Sequence, residues 1–388
     1  MPSFLTEEEI RQLEGWRRDF HAHPELAYQE SRTAELAAAH LRSCGYEVST
    51  GVGQTGVVGL LKGGAPGRTV MLRADMDCLP LTEENDVPYR SQHAGRMHAC
   101  GHDGHTAALM SVARKLGAMM GSLKGAVKIV FQPAEEGGNG AERMIRDGVL
   151  SNPDVDAAFG LHVWNDQPVG KIALNPGALM AGVDSFEVTI RGKGGHGAAP
   201  HQAVDAVVAA AHVISQLQTV VSRNVDPLDT AVVTVGAVHA GDAFNIIPET
   251  AFLRGTVRYF NPKLGDSLPE WIERVVRGTT DSMGAGYEMK YERLTPPTIN
   301  NSGMAEFVRS VAAELVGAEN VIFDARTMGG EDMSFFLNEV PGCYYFVGSR
   351  NEQRGLIHPH HSPRFDFDER ALEIGVEMTC RIVQKFLS

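Results

Sequence analysis

Apolar positions recur at helical spacing over 6–21 and again over 30–44, so the chain is expected to open on two amphipathic helices. Thr6 and Glu9 stand three apart, as in a capping box. Gly45 follows the second stretch, where a helix C-terminus favours glycine. Short apolar runs suited to buried strands come next: TVMLR at 69–73, AVKIVF at 126–131 and AAFGLHV at 157–163. A helical pattern near 103–120 separates the first two. That alternation predicts an α/β layered sheet with helices on its faces.

The rhythm changes in the middle of the chain. Strand patterns at 183–191, 230–238, 249–260 and 287–294 enclose helical patterns at about 202–221 and 266–282. The resulting β-α-β-β-α-β order is the split βαβ unit of ferredoxin-like domains. It reads as a small domain inserted into the first, with expected boundaries of 1–180 and 296–388 for the outer domain and 181–295 for the insertion. Pro296 and Pro297 mark the return, and further helices and strands lead to a C-terminal helix at 368–387.

A chain of 388 residues is too long for one ordinary core, which agrees with two domains. Its 43% hydrophobic and 21% charged residues exclude a disordered chain. A formal charge of −13 argues against nucleic acid or an anionic membrane as partner, and no apolar run is long enough to span a bilayer. The acidic, amphipathic N-terminus lacks the apolar core of a signal peptide, so a cytoplasmic location is expected. Five scattered cysteines are a poor disulfide framework and suit a reducing compartment. Cys44, Cys78, Cys343 and Cys380 read as small core residues, whereas Cys100 sits among histidines.

Four distant segments carry metal-ligand side chains beside strand ends or Gly-rich turns: HACGHDGH at 98–105, QPAEEGGNG at 132–140, FGLHVW at 159–164 and HPHHSPRFDFDE at 358–369. Cys100 and His102 are two apart, so an extended backbone turns both side chains the same way, and Gly101 between them admits an ion close to the backbone. Asp103 or Thr106 is expected to help start the following helix. Glu135 and Glu136 follow a buried-looking strand. Adjacent carboxylates point apart, so one can hold a metal while the other acts as general base. Each feature alone has an ordinary reading: a Glu pair as solvated surface, His162 as a satisfied core histidine, His361 as one member of a surface loop. His358 and His360 are expected to be plain surface. Taken together, Cys, His, Glu, His and His exceed what one tetrahedral zinc needs and fit two ions about 3.5–4 Å apart. No Walker A motif, Rossmann fingerprint or G-x-S-x-G elbow is present.

These segments resemble the hippurate hydrolase and auxin-conjugate hydrolase branch of the aminoacylase–carboxypeptidase superfamily of di-metal peptidases. The likeness runs from FHAHPELAYQE (20–30) through LRADMDCLPL (72–81), GKGGHGAAPH (192–201), NIIPE (245–249) and MGGEDMSFF (328–336) to the last His-rich loop. It implies a mixed-sheet α/β metallopeptidase-like catalytic domain and an inserted lid or dimerisation domain. It also implies metal ligation by Cys100, His102, Glu136, His162 and His361, with Cys100 bridging. By the same resemblance Glu135 is the general base, and Asp77 supports a ligand from behind. His196 polarises the scissile carbonyl from the same or a partner subunit. Asn245 and Arg258 belong to the substrate surface, although an arginine on such a strand is ordinarily a surface residue. Asp75 stands where the wider superfamily has a histidine, and its role is left open. The cofactors implied are two divalent ions, zinc or manganese, with cobalt or nickel also compatible. The implied assembly is a homodimer or homotetramer. The reaction expected is hydrolysis of N-acyl amino acids; a dipeptidase, aminopeptidase or carboxypeptidase with the same metals is the rival, and a non-enzymatic metal-binding protein a more distant one.

Overall fold

The computed structural model describes residues 4–388, which divide into two compact units. The first comprises 4–179, 299–326 and 332–388; the second comprises 180–298 and 327–331. The short stretch 327–331 therefore groups with the inserted segment, where the sequence reading had placed it in the outer domain.

The first unit is built on an eight-stranded mixed sheet. From one edge its order is Glu47–Val52, Gly56–Lys62, Lys124–Gln132, Ala65–Asp75, Ala157–Pro168, Gly342–Arg350, Ile172–Ala173 and Val321–Ile322. The central strands pair in parallel: Lys124–Gln132 with Ala65–Asp75, that strand with Ala157–Pro168, and Ala157–Pro168 with Gly342–Arg350. They are buried along most of their length, as apolar runs such as KIVF and CYYFVG require. The hairpin at the first edge, Glu47–Val52 and Gly56–Lys62, has no apolar run in its outer strand, and patterning alone did not reveal it.

Helices Glu7–Ala22, His102–Ala118 and Arg370–Phe386 pack on one another, and the middle one lies against Ala65–Asp75. The Thr6–Glu9 capping box forms as expected, and Gly45 adopts φ +86 just beyond the second helix. Helix His102–Ala118 is buried on all sides over its first three turns, so its start is fixed by tertiary contact. Neither residue expected to begin it is a cap. Asp103 pairs with Arg17 and His21, and the Thr106 hydroxyl donates to the Asp75 carbonyl.

The second unit is a four-stranded antiparallel sheet in the order Ala231–His239, Thr250–Tyr259, Gly182–Arg191, Gly286–Thr295. Helices Ala206–Asn224 and Pro262–Ser282 pack on it. This is the split βαβ topology, and the strict alternation of buried and half-buried residues in Gly182–Arg191 shows the sheet covered on one face. Asp205 and Asn261 cap the two helices through their side chains.

Candidate metal centre

Strands Ala65–Asp75 and Lys124–Gln132 end together, while Ala157–Pro168 runs on past them, so that His162 lies in mid-strand and not at a strand end as its sequence suggested. Asp75 is in register with Gln132, and the pairing of Arg73 with Gly160 sets His162 at the same level. The carboxyl ends of such strands are where an open α/β sheet places its ligands. Asp77 and Glu135–Glu136 lie just beyond two of these ends. Cys100 comes at the end of the irregular 76–101 segment, His102 opens the helix that follows, and His361 lies in the loop before the last helix.

Among the described residues several groups of donor side chains form, and two of them share Cys100. Cys100, His102 and His162 make one; Cys100, Glu136 and His361 make the other; within each, the donor atoms lie within 4.8 Å of one another. Cys100 belongs to both. A third group joins Glu135 to His102 and Glu136. The five residues expected to bind metal are thus brought together, with Glu135 beside them.

Local geometry prepares each donor. Gly101 has φ +92, and a Cβ there would stand 2.4 Å from Val163 Cγ2, so only glycine permits this turn. His102 Nδ1 donates to the Asp77 carbonyl at 2.9 Å, and His162 Nδ1 to the Val163 carbonyl at 2.5 Å. A carbonyl cannot donate, so both rings present the Nε2 lone pair inward. That of His162 is 3.5 Å from Cys100 Sγ. His361 adopts φ +65, a conformation uncommon outside glycine, and its amide donates to the Ala99 carbonyl.

The donor set fits cations. His102 Nε2 and Glu136 Oε1 are buried without a hydrogen-bond partner, although Glu136 Oε1 stands 3.3 Å from His361 Nε2. Cys100 and Glu136 push the His361 pKa up to about 10. Against the cost of burial, Asp75 and then Asp77 hold His102 well above the usual imidazole value. Both shifts come from anionic neighbours, which a bound cation would serve equally. Burial, aided by His105 and His360, holds His162 well below its usual value, the neutral form a metal requires.

Asp77 holds the backbone that follows Ala134. Its carboxylate is 3.4 Å from His102 Nδ1 but accepts the amides of Glu135 at 3.0 Å and Glu136 at 2.9 Å. Asp75, left open by sequence, is taken up by Arg73 Nη1 at 2.7 Å and His105 Nδ1 at 2.6 Å. His105 Nε2 in turn accepts from the Val163 amide, which fixes its tautomer and leaves it no lone pair for a metal. His360 is not plain surface: it stacks on Trp164 and packs against Phe365, and its Nε2 accepts from the Asn165 amide.

In the second unit, the short strand Gly195–His196 pairs with Ile246–Ile247, and Gly197 donates to the Asn245 carbonyl, so His196 and Asn245 are neighbours. His196 is exposed; its Nδ1 accepts from the Ala198 amide, which leaves an Nε2–H to donate. Arg258, half-buried on Thr250–Tyr259, contacts the Thr256 hydroxyl and donates to the Val257 carbonyl at 3.1 Å.

Residues 71–385 match the family model of peptidase family M20/M25/M40. The chain belongs to this family. The hippurate hydrolase of Campylobacter jejuni is 39% identical over 380 residues, covering 97% of each chain. Thermostable carboxypeptidase 1 of Saccharolobus solfataricus is 37% identical over 386 residues, again covering 97% of each. The solved structure of the YXEP protein of Bacillus subtilis, described as a dinuclear metal binding peptidase from the M20 family, superposes with a TM-score of 0.86. It is 34% identical, with 98% of this chain and 99% of that one covered. The M20/M25/M40 chain described here is accordingly a metal-dependent hydrolase with a place for two ions.

Two residue sets escaped the sequence reading. Arg73 and Asp332 form a buried pair at 2.9 Å, and the Asp332 amide donates to Glu135 Oε1 at 3.4 Å. Glu30 contacts the Glu-pair loop through Ala134. Both lay inside motifs that carried the resemblance, yet nothing in their local pattern separates them from surface charge.

Proposed function

We propose that this chain hydrolyses the amide bond of N-acyl-L-amino acids, releasing a carboxylic acid and a free amino acid. The observation that supports it is the pair of donor triads sharing one thiolate, with a second glutamate at their edge. Cys100, His102, Glu136, His162 and His361 hold two divalent ions in this reading. Such ions, when bound, supply Lewis acidity that polarises the amide carbonyl and acidifies a water. A thiolate donor favours zinc, and manganese, cobalt or nickel are compatible with the remaining ligands.

The rest of the work falls to side chains. Glu135 takes the proton of the attacking water as the C–O bond forms, then delivers it to the leaving nitrogen as the C–N bond breaks. The Asp77 carboxylate holds the Glu135 amide and keeps the base in place. His196 donates its Nε2–H to the developing oxyanion. Asn245 and Arg258 receive the polar groups of the substrate, the guanidinium being suited to a carboxylate. Assembly as a homodimer or homotetramer is part of the same proposal.

The names of the relatives frame the rival. One acts on hippurate, an acylated amino acid, and another is a carboxypeptidase. A panel of hippurate, N-acetyl amino acids and free dipeptides separates the two readings. Higher kcat/KM on the acylated substrates is expected; a preference for free dipeptides would replace this proposal with peptidase activity. The purified protein is expected to hold close to two divalent ions per chain and to lose activity to chelators.

A further inference from the structure

The segment 20–30 has no part in the proposed chemistry, yet its last residue reaches the catalytic loop. Glu30 is fully buried. Its Oε1 accepts from the Ala134 amide at 2.8 Å and the Tyr28 amide at 3.0 Å, and its Oε2 accepts from the Thr55 hydroxyl at 2.5 Å. The two amides can only donate, and the hydroxyl donates here.

Ala134 lies between the end of strand Lys124–Gln132 and Glu135. It is buried and has φ +52, the left-handed conformation that a residue bearing a Cβ disfavours. Strain of this kind persists only where the surroundings impose it. Three successive amides are imposed upon here: that of Ala134 by Glu30, and those of Glu135 and Glu136 by the two oxygens of Asp77. On the far side of the turn, the Tyr28 hydroxyl donates to the Gly138 carbonyl at 2.5 Å. If Ala134 relaxed to negative φ, the backbone beyond it would rotate, and both glutamates would leave their present directions.

We infer that Glu30 is a positioning residue: its carboxylate holds Ala134 in the left-handed conformation and so aims Glu135 and Glu136 from a single turn. The inference rests on the proposed roles of those two residues. Glu30 contacts none of the residues proposed to bind metal, and it reaches the glutamate pair through the Ala134 amide.

The test is Glu30→Met, which keeps the length of the side chain but carries no oxygen to accept the Ala134 and Tyr28 amides. The expected result is a fall in kcat of about 10–100-fold with KM within about threefold, and a comparable weakening of one of the two ions in chelator competition. Adding Ala134→Gly should recover part of both losses, because glycine adopts positive φ without a clamp. A merely structural role lowers Tm but leaves kcat and ion affinity of the folded protein unchanged, and that result overturns the inference. A double variant no better than Glu30→Met overturns it as well. Should Glu30→Met not fold, Glu30→Asp, which withdraws the carboxylate by one methylene, carries the same comparison. Wild-type protein that lacks two ions, or whose hydrolysis survives Glu135→Gln, counts against the underlying roles and not against the clamp.

Discussion

Glu135 and Glu136 are consecutive, half-buried, and committed to different neighbours. Glu135 Oε1 accepts from the Asp332 amide, whereas Glu136 Oε1 faces His361 across 3.3 Å. Their separation in role follows from the turn that Ala134 begins and Asp77 grips. Glu135→Gln is therefore expected to leave metal content intact and to lower kcat by about 10²–10⁴-fold, the usual scale of a lost general base. Glu136→Gln is expected to lower metal occupancy instead. Metal analysis beside steady-state kinetics decides the matter, and the opposite pattern would exchange the two assignments.

At the scale of elements, helix Glu7–Ala22 is bolted to the start of helix His102–Ala118. The fully buried Arg17 reaches Asp103 at 2.9 Å, Asp366 at 2.6 Å and Glu369 at 3.3 Å. His21, equally buried, lies 2.8 Å from Asp103 and 3.1 Å from Glu83. Burial opposes a charge on His21, but the hydrogen bond and charge of Asp103 prevail and lift its pKa from 6.5 to about 9. A folded-state pKa above the unfolded one means that the stabilisation is whole below pH 6.5 and is lost as pH rises through 9. At about 1.4 kcal/mol per pH unit, the difference amounts to on the order of 3 kcal/mol. Wild-type protein should thus lose more unfolding free energy than His21→Gln between pH 6.5 and 9.5, as measured by denaturant titration. Parallel pH profiles for the two would show that His21 is neutral in the folded state.

For the whole molecule, the donor set belongs to the first unit, while His196, Asn245 and Arg258 belong to the second. The proposed reaction asks both to act on one substrate. His196→Ala should keep full metal content and an unchanged Tm while lowering kcat by about a hundredfold, the usual loss for one oxyanion donor. A wild-type rate would remove His196 from the mechanism. Mixing this variant with Glu135→Gln protein extends the test: activity regained in hybrids would place the histidine's action across subunits. No gain despite subunit exchange would place it within one chain.

Sequence by itself determined three of the central strands, the ferredoxin-like insertion and which side chains offer donors. These depend on local periodicity and on residue types that have few uses outside chemistry, such as Cys100 and His102 flanking a glycine. Tertiary structure alone decided how those donors divide. That Cys100 belongs to two triads, that Asp75 is taken by Arg73 and His105, and that His360 stacks on Trp164 depend on distances between segments far apart in the chain. The same holds for Glu30 and Asp77. Each is an ordinary acidic residue in its own stretch of sequence, and only folding brings a buried carboxylate against the amides of a strained loop over a hundred or nearly sixty residues away.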